Sequence, residues 1–598
     1  MKKTILGILL AATTLTSCDD FLTRDPMDTV TDTDALWASE DNFRLSMWAF
    51  YDVYFPGYKT SWTRSDWFAE TNVADWVDDN AQTSPTHFTK TAPGTDKTNW
   101  ADPYTYIRRF NRLIDRAEKS SLPEEAKNHW SGIYKFFRGM QYALLVQNFG
   151  DVPYIDIVVE NTDEETLYKP RSPRAEVMDK VLADLQFACQ NIRKDDGNTG
   201  LTVNKDVALA FTSRLMLFEG TWQKYRAKNN EKAATYLKAA KEAADQLMNT
   251  GTYSLHPVFK ELTTSESLAN NKEVILYREY LTGVMTHSLM SFQTTESEGS
   301  SPSRSLVESY LSANGLPIHQ AENTLYKGDK WFYDEFADRD PRLYDNISNK
   351  GLFLNGIESV YASSGYFAHL FVNESLRGTA EGSSSTCITD APIIKLNEVM
   401  MNYIEAAAEL ADMGQYTLTQ NDFDKTINAL RNRPSTSMPA VTLAGSNLAV
   451  NGVTINDPDR DMGTMVSGDY EVSPILWEVR RERRIELPYH GFRFNDLRRW
   501  SKLHYADMKI NPKLNLGAWL DKDAYIAWYN EQNGTNLTVD VLGSVHLDRE
   551  GNAGYIKPAY NDDLVRTYAE KDYLYPLPTE EIALYKSHDA DLTQNPGW

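Results

Sequence analysis

Trp130, Ile133, Phe137, Met140, Ala143 and Leu144 recur at helical spacing. That spacing puts them on one face of an α-helix, and such a face is stable only when another apolar surface covers it. The chain supplies the cover several times over. Tyr104, Ile107, Phe110, Leu113, Ile114 and Ala117 form one further stripe, and Val177, Val181, Leu182, Leu185 and Ile192 another. Val207, Phe211, Leu215 and Phe218 follow, then Ala233, Ala234, Leu237, Ala240, Ala244 and Leu247. Punctuation falls between the stripes. Gly150 and Pro153 stop one helix, Ser172-Pro173 opens the next, and Asn204 is placed to cap a third. Alanine-rich hairpins of this kind resemble tetratricopeptide units, in which small residues let paired helices approach. A later pair, KLNEVMMNYIEAAAELADMGQ (395–415) and NDFDKTINALRNR (421–433), repeats the pattern. The fold class expected is therefore mainly α with minor β, its scaffold over about residues 100–250 and 391–433. Long irregular stretches at 251–305, 345–390, 434–472 and 505–572 read as insertions, which in a compact protein carry function or form a second layer.

The first residues read differently. Lys2 and Lys3 precede a short apolar run from Ile5 to Leu15, and small residues lead to Cys18 in LTSC. The run is too short to span a bilayer, which takes about 20 apolar residues, and it has the order of a secretory signal. LTSC also looks like the lipobox of bacterial lipoproteins. Residues 1–17 are read as a lipoprotein signal peptide, 18–34 as a lipidated N-terminus and tether, and 35–598 as a single domain.

The 598-residue chain carries 84 acidic and 61 basic residues, a net charge of −23. Such a field repels phosphate backbones, so nucleic acid is not expected as a partner. Phosphate-binding, dinucleotide-binding and nucleophile-elbow motifs are absent, as are HExxH and CxxC. No cofactor or metal is expected. Cys189 and Cys387 are read as unpaired.

Three distant blocks carry a family resemblance: CDDFLTRDP (18–26), WEVRRERRIELPYHGFRFNDLRRW (477–500) and YLYPLPTEEIALYKSHDADLTQNPGW (573–598). They resemble the N-terminus, the arginine-rich block and the terminal signature of SusD/RagB-like outer-membrane lipoproteins of Bacteroidetes. FFRGMQYALLVQNFGDVPYI (136–155) is similar to that family's first repeat block. Trp598 departs from the family's usual tyrosine, and PYH at 488–490 from its usual sequence. The resemblance implies four tetratricopeptide-like units and a lipid-anchored protein on the cell surface. It would bind oligosaccharide or polysaccharide, perform no catalysis and hand its ligand to a SusC-like TonB-dependent transporter. On plain physical grounds the block at 477–500 reads as ion-paired scaffolding, since its arginines alternate with Glu478, Glu482 and Glu486.

A glycan offers hydroxyl groups and apolar ring faces, so its site needs flat aromatic side chains beside planar polar ones. The stretch YFPGYKTSWTRSDWFAETNVADWVDDN (54–80) is richest in both. Trp76 is the leading platform, in a loop of acids where burial would strand charges. Trp62, Trp67, Asp66, Asp79 and Asn80 complete that candidate surface. Tyr280, with His287 and Gln293, marks a second surface, and Tyr361, with Tyr366, a third. Two other classes stay open on the sequence: a peptide-binding or scaffolding protein, and a glycoside hydrolase using the carboxylates of 66–80.

Overall fold

The computed structural model describes residues 32–62, 77–85, 92–195, 197–294, 300–461, 472–561 and 565–598. Helix α1 (Glu40–Trp48) leads into a run of long helices: α2 (Thr98–Lys119), α3 (Glu124–Phe149), α4 (Arg174–Asn191), α5 (Lys205–Trp222) and α6 (Asn230–Met248). Each of α2 to α6 packs on the next. Gly150 ends α3 at φ 76, a conformation that costs glycine little. Asn204 caps α5, its side-chain oxygen accepting from Val207 N at 2.9 Å. The start of α4 is shifted by one residue from the sequence reading, because the backbone N–H of Arg174 donates to the Asp151 carboxylate at 2.8 Å, so an acid from the preceding turn does the capping in place of Ser172.

The scaffold continues after a long excursion. α6 packs on α7 (Leu396–Asp412), and α7 packs on α8 (Pro474–Glu486), which is followed by α9 (Arg493–Arg499). The helix expected at 421–433 is broken into Gln420–Asp424 and Ile427–Arg431, with Thr426 at a non-helical φ of −130 between them. The fold is mainly α-helical on a tetratricopeptide-like scaffold. One hydrophobic cluster unites α2 to α8. Trp100 is buried in it.

The insertions form a second layer over a cluster of their own, which includes Tyr58, Tyr280, Tyr310, Phe336 and Tyr366. Its strands are short and pair across long sequence separations. β1 (Asn80–Gln82) pairs with β3 (Ser300–Pro302), β2 (Val274–Arg278) with β4 (Ala391–Lys395), and β8 (Trp519–Asp521) with β9 (Ala553–Tyr555), all antiparallel. The small sheet of β5 (Thr442–Ala444), β6 (Asn447–Val450) and β7 (Val453–Thr454) lies beside α8.

α8 and α9 join the two layers. The arginine-rich block is ion-paired scaffolding, but within α8 only Arg481 and Glu478 pair at helical spacing among the described residues. The other pairs reach across elements. Arg480 meets Glu409 of α7 at 2.9 Å, and Arg483 meets Asp496 of α9 at 2.9 Å. Glu482 and Glu486 both hold the fully buried Arg342 of the insertion layer, at 2.7 and 2.8 Å. Asp340 takes the same guanidinium, while Arg433 links Glu486 to Glu273. A buried ion left without a partner costs several kcal/mol, roughly 3–5, so these contacts fix how the layers meet. Trp598 packs on the body, its indole N–H donating to the carbonyls of Lys571 and Leu574. Cys189 and Cys387 are free thiols in separate surroundings, one beside Thr212 and one beside Thr389.

Candidate ligand-binding site

Asp66, Trp67 and Trp76 lie outside the described residues, as does Cys18. Trp62 is described, and its ring is 52% exposed. Its ring meets that of Phe292 edge-on, with centroids 5.9 Å apart and planes at 76°. The chain before it is tightly held. Lys59 and Ser61 both adopt positive φ, near 55°, a region unfavourable for residues with a Cβ. Ser61 N donates to the Thr286 carbonyl at 3.0 Å. The Lys59 carbonyl accepts the Tyr280 hydroxyl at 2.7 Å. Tyr280 was expected to face ligand. Instead it is fully buried and acts as a post beneath this turn.

Asp79 and Asn80 need the same correction. Both are buried, and Asn80 lies in β1 opposite Pro302. Asp79 receives Arg484 Nε at 2.7 Å. Its neighbour Asp78 is gripped by Nε and Nη2 of Arg493, both at 2.7 Å. Burial opposes the Asp78 charge, yet the Arg484 and Arg493 guanidiniums override it and hold that carboxyl well below the usual range. Charges stranded by burial are costly, as the sequence argument held, but here two arginines from α8 and α9 neutralise them.

These acids anchor a rigid base. Ser303 N donates to the Asp79 carbonyl at 2.7 Å, locking β1 to the residue after β3. The Asn515 side chain clasps the Gln82 backbone through two hydrogen bonds, its oxygen accepting from Gln82 N at 2.7 Å and its NH2 donating to Gln82 O at 2.9 Å. Ser363 joins both strands, its hydroxyl 3.3 Å from the Ala81 carbonyl and 3.1 Å from Ser301 Oγ. Two residues before it stands Tyr361, half-buried. The structure ties Tyr361 to this ladder through Ser363, whereas Trp62 packs on Phe292 in the helical turn Leu289–Thr294. His287, Gln293 and Tyr366 are buried and leave the candidate set. His287 bonds Thr389, and the Tyr366 hydroxyl lies 2.8 Å from both oxygens of Glu335.

Sequence reasoning missed the rings of the last insertion. Trp519 and Tyr555, opposite each other on β8 and β9, meet edge-on at 5.0 Å, with Lys330 Nζ 3.6 Å from the Trp519 ring centre. Trp331, Tyr333 and Trp528 form a second group, at 5.4 to 6.1 Å. Ala518 N donates to the Ser364 carbonyl at 2.9 Å, so β8 continues from the strip that carries Tyr361. Residues 330–333 meet Trp519 and Trp528 nearly two hundred residues away in the chain, and no local pattern announces those contacts.

A cavity of about 660 Å³ runs between α5, α9 and the start of α2. Size alone does not select it as the site. None of the predicted residues lines it, and its Arg214, Arg483 and Arg499 are committed to Glu398, Asp496 and Glu405. Among the described residues no group of three acids, histidines or cysteines could hold a metal ion, and no helix is long and apolar enough to cross a membrane.

Residues 272–598 match the model of the SusD family. The chain belongs to the SusD family. Residues 52–217 match a second SusD-like model, described as starch-binding associating with outer membrane. Two SusD-like proteins of Formosa agariphila are similar over part of their length. P2 is 28% identical over 184 residues, which are 30% of this chain and 33% of that protein. P38 is 25% identical over 215 residues, 35% of this chain and 41% of that one. The chain thus matches less than half the length of these curated relatives. The fold of this SusD-family chain is similar to that of a SusD-like carbohydrate binding protein from Bacteroides fragilis. The TM-score is 0.64 at 23% identity, covering 92% of this chain and 98% of the other. A surface glycan-binding protein A from Bacteroides fluxus shares the fold at TM-score 0.55 and 16% identity, covering 94% of this chain and 100% of the other.

Proposed function

We propose that this chain is a glycan-binding protein of the bacterial surface. It is anchored to the outer membrane through an acylated Cys18, captures oligosaccharides, and passes them to a SusC-like TonB-dependent transporter. Family membership supports the class. The family description of starch binding and outer-membrane association supports ligand and location. The observation that carries the site is Trp62, a half-exposed ring packed edge-on against Phe292 at the end of a turn pinned by Tyr280 and the Thr286 carbonyl. A ring held in this way offers a sugar face a large contact at little further cost in rotamer freedom. Binding without catalysis fits the two acids at the foot of β1. Asp78 and Asp79 are buried and paired with arginines, so neither is placed to donate a proton or attack a glycosidic bond.

A panel of soluble polysaccharides tested by affinity electrophoresis, with reducing-end release followed in parallel, examines this reading. Retarded migration without release is expected. Trp62→Ala should weaken the retained glycan by about tenfold or more, at least ~1.4 kcal/mol. Its melting temperature should barely move, since exposed substitutions cost within about 0.5 kcal/mol. Sugar release, or no retardation by any glycan, would overturn the proposal. Extraction in mild detergent should bring a large β-barrel down with the protein; recovery of a lone monomer from cells that make the barrel would remove the transporter from it.

A further inference from the structure

A smaller cavity, of about 180 Å³, opens at the end of the β1–β3 ladder. Asp78, just before β1, and Ser305, just after β3, both line it. Ser303 ties the two ends together, its hydroxyl donating to the Asp78 carbonyl at 2.7 Å. By volume the space holds on the order of six waters, at ~30 Å³ each. That suits one sugar ring and excludes a chain of them.

The lining is mixed in a way that selects among ligands. Five cationic side chains and four carboxylates face the space. An anion would meet the carboxylates, and a cation the guanidiniums. A hydroxyl group both donates and accepts, so a neutral polyol can satisfy both sets at once. Capacity remains on each side. Arg484 and Arg493 bond Asp78 and Asp79 through Nε and Nη2, and Nη1 of each makes no hydrogen bond among the described residues. Lys513 is exposed at the rim and makes no ion pair or hydrogen bond through its ammonium group among the described residues. On the acceptor side, Asp459 takes one side-chain donor, His319 Nδ1 at 2.5 Å. One wall is the half-buried indole of Trp477, its N–H anchored on Asp457 at 2.5 Å. That indole gives the apolar surface that the C–H face of a sugar needs, while Trp500 lies buried behind it under Arg480 and Arg499.

We propose that this cavity is a subsite for a single neutral sugar unit, separate from the surface marked by Trp62. The inference rests on the glycan-binding reading above. The test titrates the full-length protein with glucose, galactose, mannose and xylose, and with glucuronate and glucosamine as charged counterparts. Binding is read by saturation-transfer NMR and by the fluorescence of the tryptophans. Ser309→Phe fills the cavity, Lys513→Met removes its unpaired cation at no cost to packing, and Trp62→Ala serves as the comparison.

At least one neutral monosaccharide should bind wild type and Trp62→Ala alike. Ser309→Phe should weaken it about tenfold or more, and Lys513→Met several-fold with an unchanged melting temperature. Preference for glucuronate or glucosamine would overturn the inference. So would monosaccharide binding lost in Trp62→Ala and kept in the two cavity variants. If no neutral monosaccharide binds while a polysaccharide is still held through Trp62, the subsite falls and the glycan-binding function stands. If nothing binds, both fall.

Discussion

Glu335 lies fully buried beneath Tyr366. Burial pushes its carboxyl up to about 7, against the neighbouring Arg339 charge, which lowers it. A folded-state value above the ordinary 4.5 means that the native protein keeps a proton the unfolded chain has released. Stability from this group is therefore full below about pH 4.5 and is lost as the pH rises toward 7, by about 1.4 kcal/mol for each pH unit in that window. Glu335→Gln, which stays neutral throughout, should match wild type at pH 4 and out-melt it at pH 8. Thermal scans at the two pH values, with equal gaps between the proteins at both, would refute this. Side-chain roles of this kind were poorly legible in the sequence. Asp79, Asn80 and Tyr280 looked ligand-facing by composition, yet each is fixed by a partner elsewhere: Arg484 for Asp79, the strand facing Asn80, and the Lys59 carbonyl for Tyr280. Of the described residues expected at the first surface, Trp62 alone keeps an exposed ring.

Helices carry their own signal, and those of the scaffold were read nearly to their ends. Their close approaches were legible too, as small residues. A Cβ on Gly220 of α5 would stand 2.6 Å from Cγ of the fully buried Leu237 of α6. Gly220→Ala should therefore destabilise by about 1–3 kcal/mol through overpacking, although in an open helix the same change gains about 1 kcal/mol. Urea unfolding gives the sign directly, and a stabilised variant would show that the two helices have room to part. The insertion layer was legible as a second layer, but its strand pairing was not, because the strands are three to five residues long and most find partners far away. Its attachment to the scaffold depends on Arg342, shared by Asp340, Glu482 and Glu486. Arg342→Met leaves three buried carboxylates with less cation and should cost about 3–5 kcal/mol. A midpoint within error of wild type in the same urea experiment would mean that the layers are held by apolar contact alone.

At the scale of the whole molecule, the proposed anchor is chemical and lies outside the described residues. Cells fed a fatty-acid analogue should label the wild type and not Cys18→Ala, which should leave the membrane fraction; equal labelling would refute acylation at that position. One feature of the interior bears on how such a chain reaches its working state. Asp79 and Arg484, which hold the foot of β1, are separated by 405 positions. Closing a loop costs about 0.6 kcal/mol more for each doubling of its length, so this contact carries roughly 3 kcal/mol more entropy loss than one across ten residues. It also waits on synthesis, which delivers the N-terminal end first. The helices from α2 to α6 can pack on neighbours already present, whereas the foot of the ladder stays open until α8 arrives. Until its last fifth is made, the chain has a scaffold of helices whose second layer cannot yet be fastened to it.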